Sequence, residues 1–291
     1  MDLRSILIGV AFVAMWSSAF ATARIIVAEV PPFMTLSVRF AISGLIAITI
    51  ARLLGQSWHL TRQQAISVII FGICQNALYL GLNFVALQWT PASVAAIIAS
   101  SMPLIVATLG WLMGRERLPL LGITGLILGF AGVILIMGTR VQGGVQASGI
   151  LLCIGGAIAL AVATLSVKGA SSGGNLLMIV GLQMLVGSIV LAPFALTLES
   201  LPTTISTKAI LAFAYQILIP GLAATILWFT LVARIGTVRA AAYHFLNPFF
   251  GVAIAAWLLD EQIVWQDILG VVIIMAGIFA VQRARMAITP G

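Results

Sequence analysis

A chain of 291 residues that is 62% hydrophobic and only 7% charged lacks the composition of a water-soluble domain, in which about a quarter of the residues carry charge. Its formal charge of +7 does not point to nucleic acid, because the Lys and Arg residues stand singly beside hydrophobic runs and form no basic stripe. Cys74 and Cys153 fall inside apolar runs without CxxC or His-flanked spacing, so both are expected to be small buried residues and not metal ligands.

A helix that crosses a bilayer needs roughly 20 mostly apolar residues, and the chain has material for about ten, leaving no room for a soluble domain. Residues 1–4 are too short for the front of a signal peptide, so the first run is expected to be a retained helix over 5–27, with Trp16, Ser17 and Phe20 away from the interfacial belts where Trp usually anchors. The second, 33–53, carries Arg39 a turn or two inside, where a central Arg costs roughly 2.5–3.5 kcal/mol on insertion scales. Its forked donors suit a substrate carboxylate or phosphate, and equally the carbonyls of a helix end.

The third helix, 63–87, sets Gln75, Tyr79 and Asn83 at i, i+4 and i+8 on one face. Such a stripe lines a cavity or bonds helices together, and the same two roles are open to neighbouring Asn76. Helices follow over 91–113, which contains Pro103, and over 119–138, 147–168 and 175–197; the eighth, 208–232, carries Trp228. The ninth, 237–258, groups Tyr243, His244, Asn247 and Pro248 within two turns, and the tenth covers 266–282. A proline there frees a carbonyl for solute or water, or kinks the helix, or does both. No Asp or Glu lies mid-helix, which leaves His244 as the one mid-helix group that titrates near neutrality.

With both termini in the cytoplasm, the inner loops receive Arg4, Arg52, Arg62, Arg115, Arg117, Lys168, Arg234, Arg239, Arg283 and Arg285, and the outer ones only Arg24, Arg140 and Lys208. That is the bias of the positive-inside rule. Sliding the chain along itself by 145 residues brings Pro103 onto Pro248, Glu116 onto Glu261, Gly125 onto Gly270 and Gly132 onto Gly277, with Ala95 and Ala96 on Ala240 and Ala241. Five helices per half is an odd number, so the halves, 1–141 and 142–291, are expected to enter the membrane from opposite sides as an inverted repeat, the architecture of alternating-access transporters.

These residues resemble the drug/metabolite transporter superfamily, EamA type, across essentially the whole chain in two copies. The first copy carries Trp16, Ser18, Phe20, Pro32 and Arg39, then Thr90, Pro103, Gly114, Arg115, Glu116, Gly125 and Gly132; the second carries Pro248, Asp260, Glu261, Gly270 and Gly277. The resemblance implies export of amino acids or other metabolites, aromatic amino acids in particular, across the bacterial cytoplasmic membrane. The chain lacks the first-helix Glu of the related small multidrug transporters, which speaks against proton-driven export of cationic drugs.

The expectation is therefore an all-α multi-pass exporter of amino acids, with aromatic or other large apolar ones favoured, or of related metabolites, working by facilitated alternating access. Its solute contacts are Trp16, Ser17, Arg39, Gln75, Tyr79, Asn83, Trp228, Tyr243, His244 and Asn247. No metal, cofactor or nucleic acid is implied, and the protein is expected as a monomer or weak dimer in the lipid bilayer. Drug or metabolite efflux by proton antiport is the alternative, and a membrane-embedded enzyme a remote one, since neither an Asp-rich metal cluster nor a nucleophile-base pair stands out.

Overall fold

The computed structural model describes residues 3–113, 118–166, 173–236, 240 and 242–288. Gly114, Arg115, Glu116, Arg117, Lys168, Arg239 and Ala241, named above, lie outside the described residues. Within them the chain is helical throughout, with no strand: α1 (Leu3–Val27), α2 (Pro32–Leu53), α3 (Arg62–Ala86), α4 (Ala92–Leu112), α5 (Leu120–Gln142), α6 (Ala147–Ser166), α7 (Leu176–Leu198), α8 (Thr207–Gln216 continued by Ile217–Ala223 and Ala224–Ile235), α9 (Tyr243–Leu259) and α10 (Trp265–Ile288). Among the described residues nine of these are long and apolar enough to cross a bilayer, and α9 is a shorter apolar helix.

Local chemistry sets where the helices begin. Pro32 opens α2, and Pro91 and Pro119 precede α4 and α5, at positions where a missing amide hydrogen costs nothing. Thr61 and Gln64 form a capping box at α3: the Thr61 hydroxyl accepts from the Gln64 amide at 3.2 Å, and the Gln64 side chain accepts from the Thr61 amide at 2.9 Å. The one helix whose end departs well from the sequence expectation is α10, which runs on to Ile288 because the chain past 282 keeps helical character around Arg283 and Arg285. Cys153 is buried as expected, whereas Cys74 is only half-buried.

Two pairs of helices make the most extensive contacts. Between α2 and α7, a Cβ on Gly44 would stand 3.0 Å from the Gly181 carbonyl, and one on Gly181 would stand 2.9 Å from the Gly44 carbonyl. Beside them Ser37 donates to the Ser188 carbonyl at 3.1 Å and Ser188 donates to the Ser37 carbonyl at 2.8 Å. Between α5 and α10, Gly125 faces the Gly277 carbonyl and Gly132 the Gly270 carbonyl, each within 2.9 Å of an added Cβ. Lipid tails provide no hydrophobic force between helices, so backbone contact at small residues supplies the cohesion.

Two irregularities recur at the spacing that relates the two halves of the sequence. A π-helical stretch occupies Gly72–Tyr79 in α3 and another Ile217–Ala223 in α8. The α4 rod breaks at Ser101 and resumes at Met102; the chain at α9 passes through a 3₁₀ turn, Tyr243–Leu246, and becomes α-helical again at Asn247, 145 residues further on. Both restarts place a proline, Pro103 or Pro248, in the first turn.

Every described carboxylate lies at one end of the bundle. Glu199, after α7, accepts from the amides of Phe33 and Met34 at the start of α2, at 2.8 and 2.7 Å. Glu261, after α9, accepts from the amides of Ala92 and Ser93 and from the Ser93 hydroxyl at the start of α4. Glu29, after α1, accepts from the Ser206 amide and hydroxyl at the start of α8, both at 2.7 Å. Each anion thus meets the positive end of a helix dipole. Asp267, a carboxylate the sequence pattern did not single out, is fully buried and paired with Arg140 at 2.7 Å, and Arg24 donates to the Leu87 carbonyl at the same end.

Two outcomes are expected. Gly277→Leu would drive a side chain into the Gly129 Cα, 2.6 Å from an added Cβ, and is expected to cost about 1–3 kcal/mol, read as a lower melting temperature in detergent. Gly138→Leu, whose Cβ meets nothing within 4 Å, should melt like the parent. The Ser206 hydrogen bonds hold the Glu29 carboxyl below its ordinary range, so this contact is complete above that range and is lost as pH falls through it. Hydrogen exchange in the first turn of α8 should accordingly speed up in acid beyond the intrinsic rate, and Glu29→Gln should remove that dependence.

Candidate functional site

The polar stripe on α3 faces a cavity of about 50 Å³ walled by Trp16, Phe20, Arg39, Gln75, Tyr79, Asn83, Phe84 and Pro220. The π stretch begins at Gly72, where the chain has no side chain to hold it off Val186 of α7, and its wide turn keeps residues four apart close to one line. Asn76 turns the other way: its amide donates to the Gln183 carbonyl of α7 at 2.9 Å, and its Cβ lies against Gly187. Of the two roles open to adjacent side chains, the stripe lines space and Asn76 joins helices.

A second, smaller cavity of about 20 Å³ is walled by Trp16, Ser17, Phe20, Tyr79, Ser100, Pro103, Leu160, His244 and Asn247. Here the broken α4 and the 3₁₀ turn of α9 face each other. The Asn247 amide and the His244 Nδ1 are 3.1 Å apart, and Ser17 donates to the Asn247 carbonyl at 3.5 Å. Trp16, Phe20 and Tyr79 line both cavities and form the partition between them. Each space holds a few water molecules at most and is smaller than any amino acid.

Three residues of these walls carry a buried polar atom without a hydrogen-bond partner. Arg39 is 6% exposed, its Nε is unpartnered, and it meets neither a carboxylate nor a helix-end carbonyl among the described residues; the Phe40 ring lies 5.5 Å from its Cζ. Asn83 donates to the Tyr79 carbonyl at 2.8 Å, leaving Oδ1 unpartnered, and the Oδ1 of Asn247 is unpartnered too. Neither wall carries a described carboxylate.

Eight of the ten residues singled out in the sequence therefore border the two cavities, and two do not. Trp228 packs on Phe12 and His244 with ring centroids 5.1 and 5.3 Å away, so it backs His244 from behind. Tyr243 is buried against Gly9 of α1 with its hydroxyl donating to the Ser5 carbonyl, on a different side of the helix from His244. Pro220 reaches the first cavity from the π stretch of α8 and was missed; its only signal is a lone proline in an apolar run. Gln216 and Tyr215, also passed over, tie α8 to α1: Gln216 donates to the Ala19 carbonyl at 2.6 Å and to Thr22 at 2.8 Å, and the Tyr215 hydroxyl meets Ser18 at 2.9 Å.

Bilayer-length helices packed around polar-walled interior spaces define an integral membrane protein. The chain belongs to the EamA-like transporter family, whose pattern matches residues 3–138 and, a second time, 147–283. Similar proteins include the uncharacterized transporter YvbV of Bacillus subtilis, 26% identical over 94% of this chain and 90% of that one. A probable amino-acid metabolite efflux pump of Escherichia coli is 25% identical, covering 92% and 91%. Protein PecM of Dickeya dadantii is 23% identical, covering 92% and 89%. A crystal structure with a TM-score of 0.69 and 20% identity covers 99% of this chain and all of its own, and shows the shared fold. The protein is a multi-pass transporter of the cytoplasmic membrane and not an enzyme.

Loss of the Asn76 bond should cost about 1 kcal/mol, so Asn76→Ala is expected to melt a few degrees below the parent in detergent. Gln75→Ala, which removes no hydrogen bond from the fold, should melt unchanged.

Proposed function

We propose that the protein exports amino acids, aromatic or other large apolar ones favoured, or closely related metabolites, by facilitated alternating access. The observation that carries this reading is the convergence of Gln75, Tyr79 and Asn83 with Trp16, Phe20 and Arg39 on one interior cavity. Aromatic rings suit an apolar side chain, and amides and a guanidinium suit the polar end of a solute. The name of the Escherichia coli relative, a probable amino-acid metabolite efflux pump, is in keeping with it.

In this reading the bundle has ten spans in two five-helix halves, 1–141 and 142–291, inverted about an axis in the membrane plane, with both termini cytoplasmic. The reciprocal contacts support the inversion: the 145-residue shift carries Gly125 onto Gly270 and Gly132 onto Gly277, and the pairs that touch are Gly125 with Gly277 and Gly132 with Gly270, as a two-fold axis generates. The repeated π stretches and helix breaks support it as well. The Lys and Arg bias supports the orientation, and would put the carboxylate-capped end outside. The solute rests against Trp16, Ser17, Arg39, Gln75, Tyr79, Asn83, His244 and Asn247 while the halves rock about the partition. Walls free of carboxylates favour transport without a proton.

Purified protein in liposomes should show saturable flux of labelled aromatic amino acids that is indifferent to a pH gradient. Tyr79→Ala should reduce that flux at least about tenfold without reducing membrane yield. Stimulation by the gradient, abolished in His244→Gln, would instead support proton antiport through the second cavity. Flux of lipophilic cations and of no amino acid would overturn the substrate.

A further inference from the structure

The Arg39 guanidinium is a full charge on the wall of the first cavity, 6% exposed and without an acid or acceptor among the described residues. A charge held away from water is costly until a counter-charge arrives, and the Phe40 ring at 5.5 Å offers only a cation-π contact. Asn83, on the same wall, has the complementary lack: its Nδ2 is engaged by the Tyr79 carbonyl, and its Oδ1 is an acceptor with no donor.

Packing does not require the charge. A shift of 144 residues carries Gly44 onto Ser188 and Ser37 onto Gly181, the residues of the two reciprocal α2–α7 contacts, and the same shift carries Arg39 onto Gln183. The second half builds the equivalent helix around a neutral amide.

We propose that Arg39 and Asn83 are the two poles of one subsite, with Arg39 receiving a carboxylate and Asn83 Oδ1 receiving an N–H of the same solute. The cargo is then a zwitterion with both a free carboxylate and a free ammonium, and Trp16, Phe20 and Phe84 are the apolar wall it would meet once the halves rock and the cavity widens. A phosphate would satisfy Arg39 but would set its anionic oxygens against a bare acceptor on Asn83. The pairing rests on the transport reading above, and sharpens it by making the two charged groups, and not the ring, the obligatory features.

The test is ligand-induced thermal stabilisation of the full-length protein in detergent, titrated with L-phenylalanine, phenylalaninamide, 3-phenylpropionate and phenyl phosphate. Phenylalanine should half-saturate at concentrations at least about tenfold below each of the other three, as loss of one charged hydrogen bond implies. Arg39→Gln should weaken phenylalanine to the level of the amide, and Arg39→Lys should recover part of the difference. Should Arg39→Gln fail to fold, the lysine variant and the wild-type ranking carry the test. The subsite is overturned if the amide binds the wild type as well as phenylalanine does, if Arg39→Gln binds phenylalanine undiminished, or if nothing in the panel stabilises the protein. Arg39-dependent binding with no flux in liposomes would sink the transport reading and keep the subsite; flux indifferent to Arg39→Gln would do the reverse.

Discussion

Close backbone contact between helices that no hydrophobic force presses together is the constraint on which the rest of this molecule depends. Inside lipid an apolar side chain gains little by leaving its neighbours for another helix, so affinity between helices has to come from near approach and from the few polar groups available. The α2–α7 and α5–α10 crossings meet that need with glycines facing carbonyls and with the mutual Ser37–Ser188 hydrogen bonds. Because these two crossings hold the halves together at backbone distance, the remaining helices are left to surround the cavities. There α3, α4, α8 and α9 depart from regular α-helix, and all four irregularities border the interior space or adjoin residues that do.

The same economy governs charge. Among the described carboxylates, Glu29, Glu199 and Glu261 each follow one helix and neutralise the start of another, Asp267 closes on Arg140, and Asp260 beside Glu261 is exposed. Each of the four paired carboxylates joins residues from opposite halves of the chain, so that end of the bundle is laced together between them. Arg39 stands apart from this arrangement as a cation within the bundle that meets neither a carboxylate nor a carbonyl among the described residues.

Much of this was legible in the amino-acid sequence, for identifiable reasons. Apolar length announces a membrane helix whatever surrounds it, and most ends were set by prolines and caps that act locally. The Gln75–Tyr79–Asn83 stripe was legible because a polar residue within a span is conspicuous, and its four-residue spacing survives the change from α to π turns. What stayed hidden depends on non-local geometry. That Asn76 bonds to α7 and that Tyr243 packs on α1 depend on which helix lies beside each, which the local sequence does not announce. Pro220 looked like an ordinary helix interruption, and the ends that Glu199 and Glu261 cap lie more than a hundred residues away in the chain.

The partition of Trp16, Phe20 and Tyr79 has an electrical consequence. Two interior spaces that admit water are separated by little more than the thickness of aromatic side chains, and a transmembrane voltage falls mainly across the poorest dielectric in its path. On the transport path proposed above the field would be concentrated at that layer, and a zwitterionic cargo would still move a dipole through it. Even electroneutral traffic through such a barrier feels the membrane potential, to a degree set by which end of the solute crosses first.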